Sequence, residues 1–469
     1  MFIGRKNELD TLNKLYETQE FQMVVIYGRR RIGKTTLITE FMKNKPAIFF
    51  TAQEANDKIN LEHFSLKVYR FFHMPEGTGA FISWNTAFDF ISEKAKNTQF
   101  ILTLDEFSYA CDANKGLKSI LQNAIDLSMK NTKLYLILCG SHVGFMENEV
   151  LGYKSPLFGR RTAQIKLEGF DYYDTAKMLQ YFSNEDKIKL YACLGGTPYY
   201  LSLVKEDLSF EENITNLFFE KSGFLYNEPT MLLKQELREP AMYNSIISAI
   251  ATGASKINEI ATKIGEERTK LTRYLNTLMD MGIIDKLVPF GEDKGKSKRG
   301  IYCINDNCYS FWYRFIFPNI SEIEAGTGST IANILLNSEM LNTYIGKPGF
   351  ELVCMQYLIR KNQDKQLPFQ ATSFGKWWGN NSVKRVQTDI DIIAANKFTK
   401  ELIEGECKWK NNIDDVSEIK KLIEKDCLLS DYPRKYFYLF SKVDFQPQAK
   451  ELEKSEKRLH LIRLQDMFD

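Results

Sequence analysis

Apolar residues along this chain occur either in short continuous runs or at a spacing of three and four residues, and the two patterns alternate. In the first third, four short apolar runs predict buried strands at residues 24–27, 47–51, 100–107 and 134–141. Between them, apolar positions three and four residues apart predict amphipathic helices, as at Leu37, Ile38, Phe41 and Met42. This alternation continues to about Lys166 and predicts a parallel sheet with helices on both faces.

From residue 170 to about 237 the pattern is helical, and one turn interrupts it. The segment GGTPYY at residues 195–200 predicts a helix end on its two glycines and a new helix at Pro198. Residues 243–317 then contain three segments with apolar residues at helical spacing. Two short strands are predicted after them, at 283–288 and 300–304, on either side of a charged loop. Three helices followed by a β-hairpin predict a winged helix.

The last third of the chain predicts a second α/β region. A helix is predicted over residues 346–361, followed by a turn at 377–379 and an apolar strand that carries Asp391. Residues 400–410 are predicted to form a strand in which period two places Glu406 and Lys408 on the same side. Helix, strand, helix and strand follow, so the region should contain its own sheet.

Composition and charge limit the classes of protein to be considered. The chain of 469 residues is 44% hydrophobic and 26% charged, which is typical of a globular protein with two to four domains. A net charge of +2 means that any affinity for nucleic acid has to come from local patches. Eight scattered cysteines without a C-x-x-C pair, and only four histidines, argue against a zinc site and favour the cytoplasm. We expect neither a signal peptide nor a membrane span.

Residues 28–35 have the pattern G-x-x-x-x-G-K-T directly after the first predicted strand. This is the pattern of a phosphate-binding loop, in which the glycines let backbone N–H groups curl around phosphates. Lys34 brings a charge to the phosphates, and Thr35 offers a hydroxyl to Mg²⁺. We therefore expect ATP to bind at Gly28, Arg29, Arg30, Arg31, Ile32, Gly33, Lys34, Thr35 and Thr36.

The neighbouring strands end in further polar residues. Asp105 is expected to hold Mg²⁺, and Glu106 is expected to activate the attacking water. Ser141, or His142 beside it, is a candidate sensor of the γ-phosphate.

The loop PLFGRR supplies two adjacent arginines, Arg160 and Arg161. A guanidinium group neutralises charge on a transferring phosphate, from the same chain or from a neighbour. The alternative for both side chains is solvated surface charge.

Charge is unevenly distributed in the predicted winged helix. Its hairpin carries a surplus of two positive charges, whereas the third helix is neutral. Because phosphate contacts dominate affinity for DNA, this pattern predicts weak DNA binding led by the wing. Docking of a protein partner is the alternative. The aromatic segment FWYRFIFP that follows is expected to fill a core rather than to stack on bases, since it has one basic residue.

The C-terminal carboxylates form a candidate metal site. An antiparallel neighbour can place Asp391 opposite Glu406 and Lys408, the Asp…Glu-x-Lys arrangement of metal-dependent nucleases. The two acids would hold Mg²⁺, and the lysine would steady the attacking water. Glu351 on the preceding helix can complete the site. The alternative is a surface strand of alternating charge, which is less compatible with a carboxylate in an apolar strand.

The segments FIGRKNEL, YGRRRIGKT, LDEF, GGTPYY and TDIDIIA…GECKW together resemble the prokaryotic family of AAA/STAND-type P-loop ATPases with a C-terminal DUF234 domain. The resemblance implies that the Gly4-Arg5 box lies against adenine and that Pro198 belongs to a helical lid facing the nucleotide. It also implies a C-terminal α/β domain similar to PD-(D/E)xK nucleases of the restriction-endonuclease type. Asp389 stands where family members often have glutamate, which keeps the charge.

We therefore expect an α/β multidomain protein with an ATPase core at 1–166, a helical lid at 167–238, a winged helix at 239–318 and a nuclease-like domain at 319–469. Its expected cofactors are ATP and Mg²⁺. Its expected function is ATP hydrolysis coupled to DNA binding and Mg²⁺-dependent DNA cleavage. The alternative is a nucleotide-dependent switch whose C-terminal domain only docks DNA or a protein partner. A homo-oligomer would let Arg160 or Arg161 act on a neighbouring subunit.

Overall fold

A parallel sheet organises the first of two units, Met1–Gly169 and Phe170–Asp469, into which the chain divides. The computed structural model describes residues 2–75, 77–381 and 385–468. The sheet has the order β2-β3-β4-β1-β5, and all its neighbours run parallel. Its strands are β1 (Gln22–Tyr27), β2 (Ala47–Thr51), β3 (Phe100–Asp105), β4 (Leu134–Gly140) and β5 (Ala163–Lys166). The predicted parallel sheet is confirmed.

Helices connect these strands and cover the sheet. They are α1 (Lys6–Glu17), α2 (Lys34–Met42), α3 (Asp57–Phe71), α4 (Trp84–Ala95), α5 (Phe107–Ala113), α6 (Leu117–Leu127) and α7 (Val143–Phe145), with shorter helical turns at Met129–Asn131 and Met146–Val150. Successive residues of β1 enter different cores: Val24 and Ile26 pack with α2, and Val25 packs with α3, α4 and α6. Because strand side chains alternate between faces, a fully apolar strand is buried on both sides.

The second unit begins with a largely helical region. Its helices are α8 (Tyr172–Met178), α9 (Asn184–Leu194), α10 (Pro198–Leu201), α11 (Phe210–Ile214), α12 (Glu228–Glu236), α13 (Pro240–Ala251), α14 (Ile257–Ile264), α15 (Arg268–Asp280), α16 (Asn307–Phe311), α17 (Ile320–Glu322), α18 (Gly328–Leu336) and α19 (Glu339–Tyr344). Further helical turns lie at Thr215–Phe219, Trp312–Ile316, Phe317–Asn319 and Ile323–Thr327. A two-stranded antiparallel hairpin, β6 (Ile284–Leu287) and β7 (Ile301–Ile304), follows α15.

Two predicted details of this region are confirmed. The helix α9 ends before Gly195 and α10 begins at Pro198, and a side chain at Gly196 would place its Cβ 1.9 Å from the carbonyl oxygen of Phe170. The aromatic segment after α16 is buried, as expected of a core, because Trp312 and Tyr313 are fully inaccessible to solvent.

A mixed five-stranded sheet forms the C-terminal part of the second unit. Its order is β12-β11-β10-β9-β8, where β8, β9 and β10 pair antiparallel and β10, β11 and β12 pair parallel. The strands are β8 (Ser373–Asn381), β9 (Val386–Asn396), β10 (Glu401–Lys408), β11 (Arg434–Ser441) and β12 (Leu459–Arg463). The helices are α20 (Glu351–Gln363), α21 (Asp415–Ile423) and α22 (Pro447–Ser455), with turns at Ile345–Phe350, Glu424–Cys427 and Gln465–Met467.

Two local predictions in this region were wrong. The turn predicted at residues 377–379 is part of β8, where Trp377 pairs with Ile390 and Gly379 pairs with Thr388. Aromatic residues favour strands, and the strand accommodates an irregularity as a bulge between Gly375 and Trp377. The regular helix begins at Glu351 rather than at residue 346, because two glycines and a proline interrupt the Ile345–Phe350 turns.

Within the part of the chain that the structure describes, no helix has the length and apolar character needed to cross a membrane.

Candidate functional site

The loop between β1 and α2 has a backbone with three residues of positive φ, two of which are glycines. Gly28 has φ 154°, and a Cβ there would lie 2.3 Å from the carbonyl oxygen of Leu167. Arg31 and Gly33 also have positive φ, 69° and 91°. Left-handed residues next to residues of other conformations, as at Gly33 directly before α2, turn backbone N–H groups toward one point, which is the geometry of an anion-binding loop at a helix N-terminus.

Lys34 opens α2 and is buried. Its ammonium group donates hydrogen bonds to the carbonyl oxygens of Gly28 and Arg29, each at 2.9 Å. Thr35 beside it is exposed, so its hydroxyl is accessible to an ion outside the loop. The Lys34 ammonium group and the backbone N–H groups of the loop therefore lie on one side, where they can contact the phosphates of a nucleotide.

Asp105 ends β3 and is buried. Burial raises the pKa of its carboxyl group, and this effect is opposed by a hydrogen bond with the Cys139 thiol and by the charge of Lys34. A buried carboxylate beside the loop lysine suits a position that a cation neutralises when the nucleotide binds.

Glu106 follows with a left-handed backbone, φ 48° and ψ 46°. Its side chain accepts hydrogen bonds from the Ser141 hydroxyl at 2.6 Å and from the Ser141 backbone N–H at 3.3 Å. The strand order explains this contact, since β4, which precedes Ser141, lies between β1 and β3. The structure thus brings the predicted activating acid and the predicted sensor together. His142, the alternative sensor, is exposed.

Two contacts of the loop were not anticipated by sequence reasoning. The guanidinium of Arg5 donates to the carbonyl oxygen of Ile32 at 3.3 Å and to that of Glu168, so it joins the loop to the segment after β5. Arg30 donates to the Tyr109 hydroxyl at 2.7 Å. The Gly4-Arg5 box was the available signal, but it was associated with adenine rather than with the loop backbone.

The two candidate arginines differ in their surroundings. Arg160 forms a double hydrogen bond with the carboxylate of Asp126, at 3.0 and 2.6 Å, and also donates to backbone carbonyls of its own loop. Arg161 is half-buried. Burial raises the pKa of Tyr27 at the end of β1, and the positive charge of Arg161 opposes this rise. Pro198 lies in the second unit, and its role toward a nucleotide stays a prediction.

The predicted C-terminal residues lie on adjacent elements of the mixed sheet. Asp391 is on β9, Glu406 and Lys408 are on the neighbouring strand β10, and Glu351 begins α20. The Asp391 carboxylate accepts a hydrogen bond from the backbone N–H of Cys407 at 3.0 Å. Burial raises the pKa of Asp391 to about 7, and the nearby charges of Glu406 and Glu351 act in the same direction. The structure therefore brings the three predicted acids close to one another.

Lysine side chains contact all of these acids. We call the following residues the carboxylate–lysine cluster: Glu351, Asp389, Asp391, Glu406, Glu418, Lys347, Lys376, Lys408, Lys421 and Lys425. The Lys347 ammonium lies 3.3 Å from Glu351, 3.5 Å from Asp389 and 3.9 Å from Asp391. Lys408 lies 3.3 Å from Glu406 and 2.9 Å from Glu418. Lys425 pairs with Glu406 and donates to the backbone carbonyl of Asp389 at 2.6 Å.

The cluster in this arrangement does not present a ready metal site. Among the residues that the structure describes, no group of three or more His, Cys, Asp or Glu side chains is positioned to hold a metal ion. The carboxylate oxygens of Glu351 and Glu406 contact lysines, so the fit of Mg²⁺ to these acids requires at least one ammonium group to move.

The fold and the loop geometry of the first unit define a P-loop ATPase. In agreement, residues 2–204 match the family model of an "ATPase domain predominantly from Archaea". Residues 312–421 match the DUF234 model, described as "Archaea bacterial proteins of unknown function". The chain therefore contains both domains and is an ATP-hydrolysing, nucleotide-binding enzyme.

A relative that matches almost the whole chain places it in a family. It is 35% identical over 448 residues to the uncharacterized protein MJECL04 of Methanocaldococcus jannaschii, a match that covers 95% of this chain and 96% of that protein. The chain belongs to the same family. A 45-residue stretch is 44% identical to the uncharacterized ATP-binding protein MJ0423 of the same organism, covering 10% of this chain and 76% of that protein.

A solved structure supports the fold. The Walker-type ATPase PABY2304 of Pyrococcus abyssi superposes with a TM-score of 0.52 at 19% identity, over 67% of this chain and 96% of that chain.

Proposed function

We propose that this ATPase couples its nucleotide state to DNA binding by a winged helix and to Mg²⁺-dependent DNA cleavage by a nuclease-like C-terminal domain, within the AAA/STAND type. The domain limits we propose are 1–166, 167–238, 239–318 and 319–469. The observation that supports the proposal most strongly is that Asp391 on β9 lies close to Glu406 and Lys408 on β10. Glu351 lies beside them.

In the ATPase domain, we assign the phosphates to the backbone N–H groups of residues 28–33 and to Lys34. Thr35 and Asp105 would hold Mg²⁺, which offsets the charge of the phosphates when it is bound. Glu106 is the base that orients water, and Ser141 is the sensor that competes for it. Arg161 is the better candidate for an arginine finger, because Arg160 is already paired with Asp126.

The winged helix comprises α13, α14, α15 and the hairpin β6–β7. Several of its charges are compensated locally: Lys270 pairs with Glu266, Lys294 pairs with Asp285 and Arg299 pairs with Glu292. Lys296 and Lys298 are exposed on the hairpin loop. This distribution supports weak DNA contact through the loop, since exposed lysines contribute phosphate contacts without sequence information.

The topology of the C-terminal sheet supports the nuclease-like assignment. A helix, α20, precedes three antiparallel strands, and the candidate acids lie on the second and third of them. Glu406 and Lys408 are two residues apart on one strand, so both side chains project from the same face. With Mg²⁺ bound, the metal would polarise the scissile phosphate, while Lys408 would hold the attacking water or the developing charge.

The direct experiment is cleavage of supercoiled plasmid by the full-length chain with Mg²⁺ or Mn²⁺, with and without ATP. We expect nicked or linear product from the parent protein and from Lys397→Ala, an exposed lysine outside the cluster. Lys408→Ala should lose cleavage. Absence of cleavage of any DNA form under several metals, or cleavage that survives Lys408→Ala, would overturn the nuclease assignment.

A second function is favoured by one observation, the lysine contacts on the carboxylates of the cluster. If these ion pairs are permanent, the C-terminal domain only docks DNA or a protein partner, and the chain is a nucleotide-dependent switch. This alternative predicts ATP-sensitive binding to DNA that is unchanged in the double variant Glu406→Ala, Lys408→Ala. An electrophoretic mobility shift with and without ATP measures it.

A further inference from the structure

Lys347 is placed differently from the other lysines of the carboxylate–lysine cluster. It lies in the irregular turns before α20 rather than on a strand or in a regular helix, and its backbone is non-helical, with φ −138° and ψ 112°. Its side chain is 63% exposed, whereas those of Lys376, Lys408 and Lys425 are between 16% and 29% exposed. Lys421 is 61% exposed, but the carboxylate that it contacts is that of Glu418, which is not among the proposed metal ligands. Lys347 can therefore leave the cluster toward solvent with little rearrangement of its neighbours.

Two of the three carboxylate partners of Lys347 are buried, while the third, Asp389, is 58% exposed. The side chain of Glu351 is 4% exposed, and that of Asp391 is 11% exposed. Glu351 is anchored in the first turn of α20, and Asp391 accepts a hydrogen bond from the backbone of β10. One ammonium group on a long, mobile side chain thus approaches carboxylates of two elements that cannot follow it.

The charge balance of the cluster depends on this ammonium group. Among the described residues, five carboxylates are matched by five lysines at ion-pair distance. The Lys347 ammonium group lies 3.3 Å from the Glu351 carboxylate and 3.9 Å from that of Asp391. Its charge therefore compensates acids that would otherwise repel one another.

We propose that Lys347 is a tethered counter-ion that competes with a divalent cation for the carboxylates of Glu351 and Asp391. The inference rests on the metal site of the proposed function and goes beyond it, because it assigns an intramolecular competitor to that site. A divalent cation needs oxygen ligands with uncompensated negative charge, and it binds in exchange for the ammonium group. The metal affinity of the chain is then set by Lys347 as much as by the acids.

Mn²⁺ binding to the full-length chain tests the proposal without relying on catalysis. All variants carry Asp105→Asn, which removes the carboxylate that we assign to Mg²⁺ in the ATPase domain, and free Mn²⁺ is measured by electron paramagnetic resonance. We expect Lys347→Met to bind Mn²⁺ about tenfold more tightly than the parent, which corresponds to about 1.4 kcal/mol. Lys347→Arg keeps the charge and should match the parent. Lys397→Met removes an exposed lysine outside the cluster and should also match it.

A further variant tests whether the tighter Mn²⁺ binding of Lys347→Met depends on the Asp391 carboxylate. Adding Asp391→Asn to Lys347→Met should remove the tighter binding, and the thermal midpoint of each variant shows that it is folded. If Asp391→Asn alone weakens Mn²⁺ binding but Lys347→Met has the affinity of the parent, the metal site stands and the competition is refuted. If no variant binds Mn²⁺, the metal site of the proposed function fails, and the competition fails with it. A gain that survives Asp391→Asn also refutes the proposal.

Discussion

Lysines occupy both candidate sites of this molecule, but they are held in different ways. In the phosphate loop, Lys34 donates to two backbone carbonyl groups of its own loop, at 2.9 Å each. In the carboxylate–lysine cluster, Lys347, Lys376, Lys408 and Lys425 contact side-chain carboxylates that come from other elements. A neutral carbonyl binds an ammonium group less strongly than a carboxylate does, so the two hydrogen bonds of Lys34 to its own loop are readily exchanged for hydrogen bonds to a phosphate.

This difference separates a site prepared for its ligand from a site that is neutralised internally. The loop is shaped by backbone conformation, since Gly28 and Gly33 adopt φ values that favour glycine. The cluster is shaped by ion pairs that must be exchanged before another cation binds. We therefore expect nucleotide binding to need little rearrangement, and metal binding at the cluster to depend on which lysine can leave.

The largest expected effect is at the loop. Lys34→Ala should lower the rate of ATP hydrolysis by about 10²–10³-fold, because the ammonium group stabilises the charge of the transferred phosphate. Phosphate release by the full-length chain measures this. Lys43→Ala, an exposed lysine just after α2, is the matched control and should retain activity. Equal activity of Lys34→Ala and the control would contradict the assignment of the loop.

A smaller effect concerns a buried ion pair next to the cluster. Glu404 on β10 is inaccessible to solvent, and the Lys435 ammonium lies 3.1 Å from its Oε1. That ammonium group donates instead to the carbonyl oxygens of Asp426 and Leu428, so the Glu404 oxygens accept no well-aligned hydrogen bond within the described residues. Burial raises the pKa of Glu404 to about 7, while the charge of Lys435 opposes the shift.

The pKa of Glu404 predicts how stability changes with pH. A folded-state pKa above the ordinary value of 4.5 means that the folded chain binds the proton more tightly than the unfolded chain. The resulting stabilisation is complete below about pH 4.5 and is lost as the pH rises through about 7. The thermal midpoint in the presence of EDTA should therefore fall between pH 5 and pH 8.

A substitution isolates the contribution of this carboxyl group. Glu404→Gln should reduce the fall of the thermal midpoint between pH 5 and pH 8. Glu401→Gln, on the same strand and paired with Arg434, is the control and should keep the full fall. The assignment fails if both variants keep the pH dependence of the parent.

The smallest expected effect concerns Arg5, which supports the loop through its backbone. Arg5→Ala should raise the KM for ATP severalfold with little change in kcat, because the Ile32 and Glu168 carbonyl groups lose their common donor. Lys6→Ala, an exposed neighbour, is the control. If Arg5 contacts adenine instead, Arg5→Ala should reduce the preference for ATP over GTP, and competition between the two nucleotides distinguishes these outcomes.

Sequence reasoning succeeded where the determinants are local. Residues 28–35 encode both the turn and its chemistry, and an apolar strand in a fixed position before them predicts the parallel sheet. Period two in β10 accounts for Glu406 and Lys408 on one side of the strand, and Asp391 lies on the neighbouring antiparallel strand β9, as expected. The Arg5 contact could not be predicted, because it joins residues 5, 32 and 168, which come together only in the folded unit.

The same limit applies to the carboxylate–lysine cluster. Lys347, Lys376 and Lys425 come from a turn, from the edge strand β8 and from the end of a helix, and no periodic pattern connects them. The bulge in β8 lies at Lys376, and the segment 377–379 directly after it suggested a turn instead. Ion pairs between distant segments depend on tertiary packing, so the acids of this site were predictable and their lysine partners were not.

The balance of five carboxylates and five lysines in the cluster determines the electrostatic potential that an approaching polyanion meets. Five uncompensated acids would create a negative potential that slows the approach of any polyanion, and added salt would relieve it. A balanced cluster produces almost no field beyond about 10 Å. The cluster itself should therefore contribute little to the dependence of nucleic-acid association on ionic strength, and that dependence should come from exposed lysines such as Lys296 and Lys298.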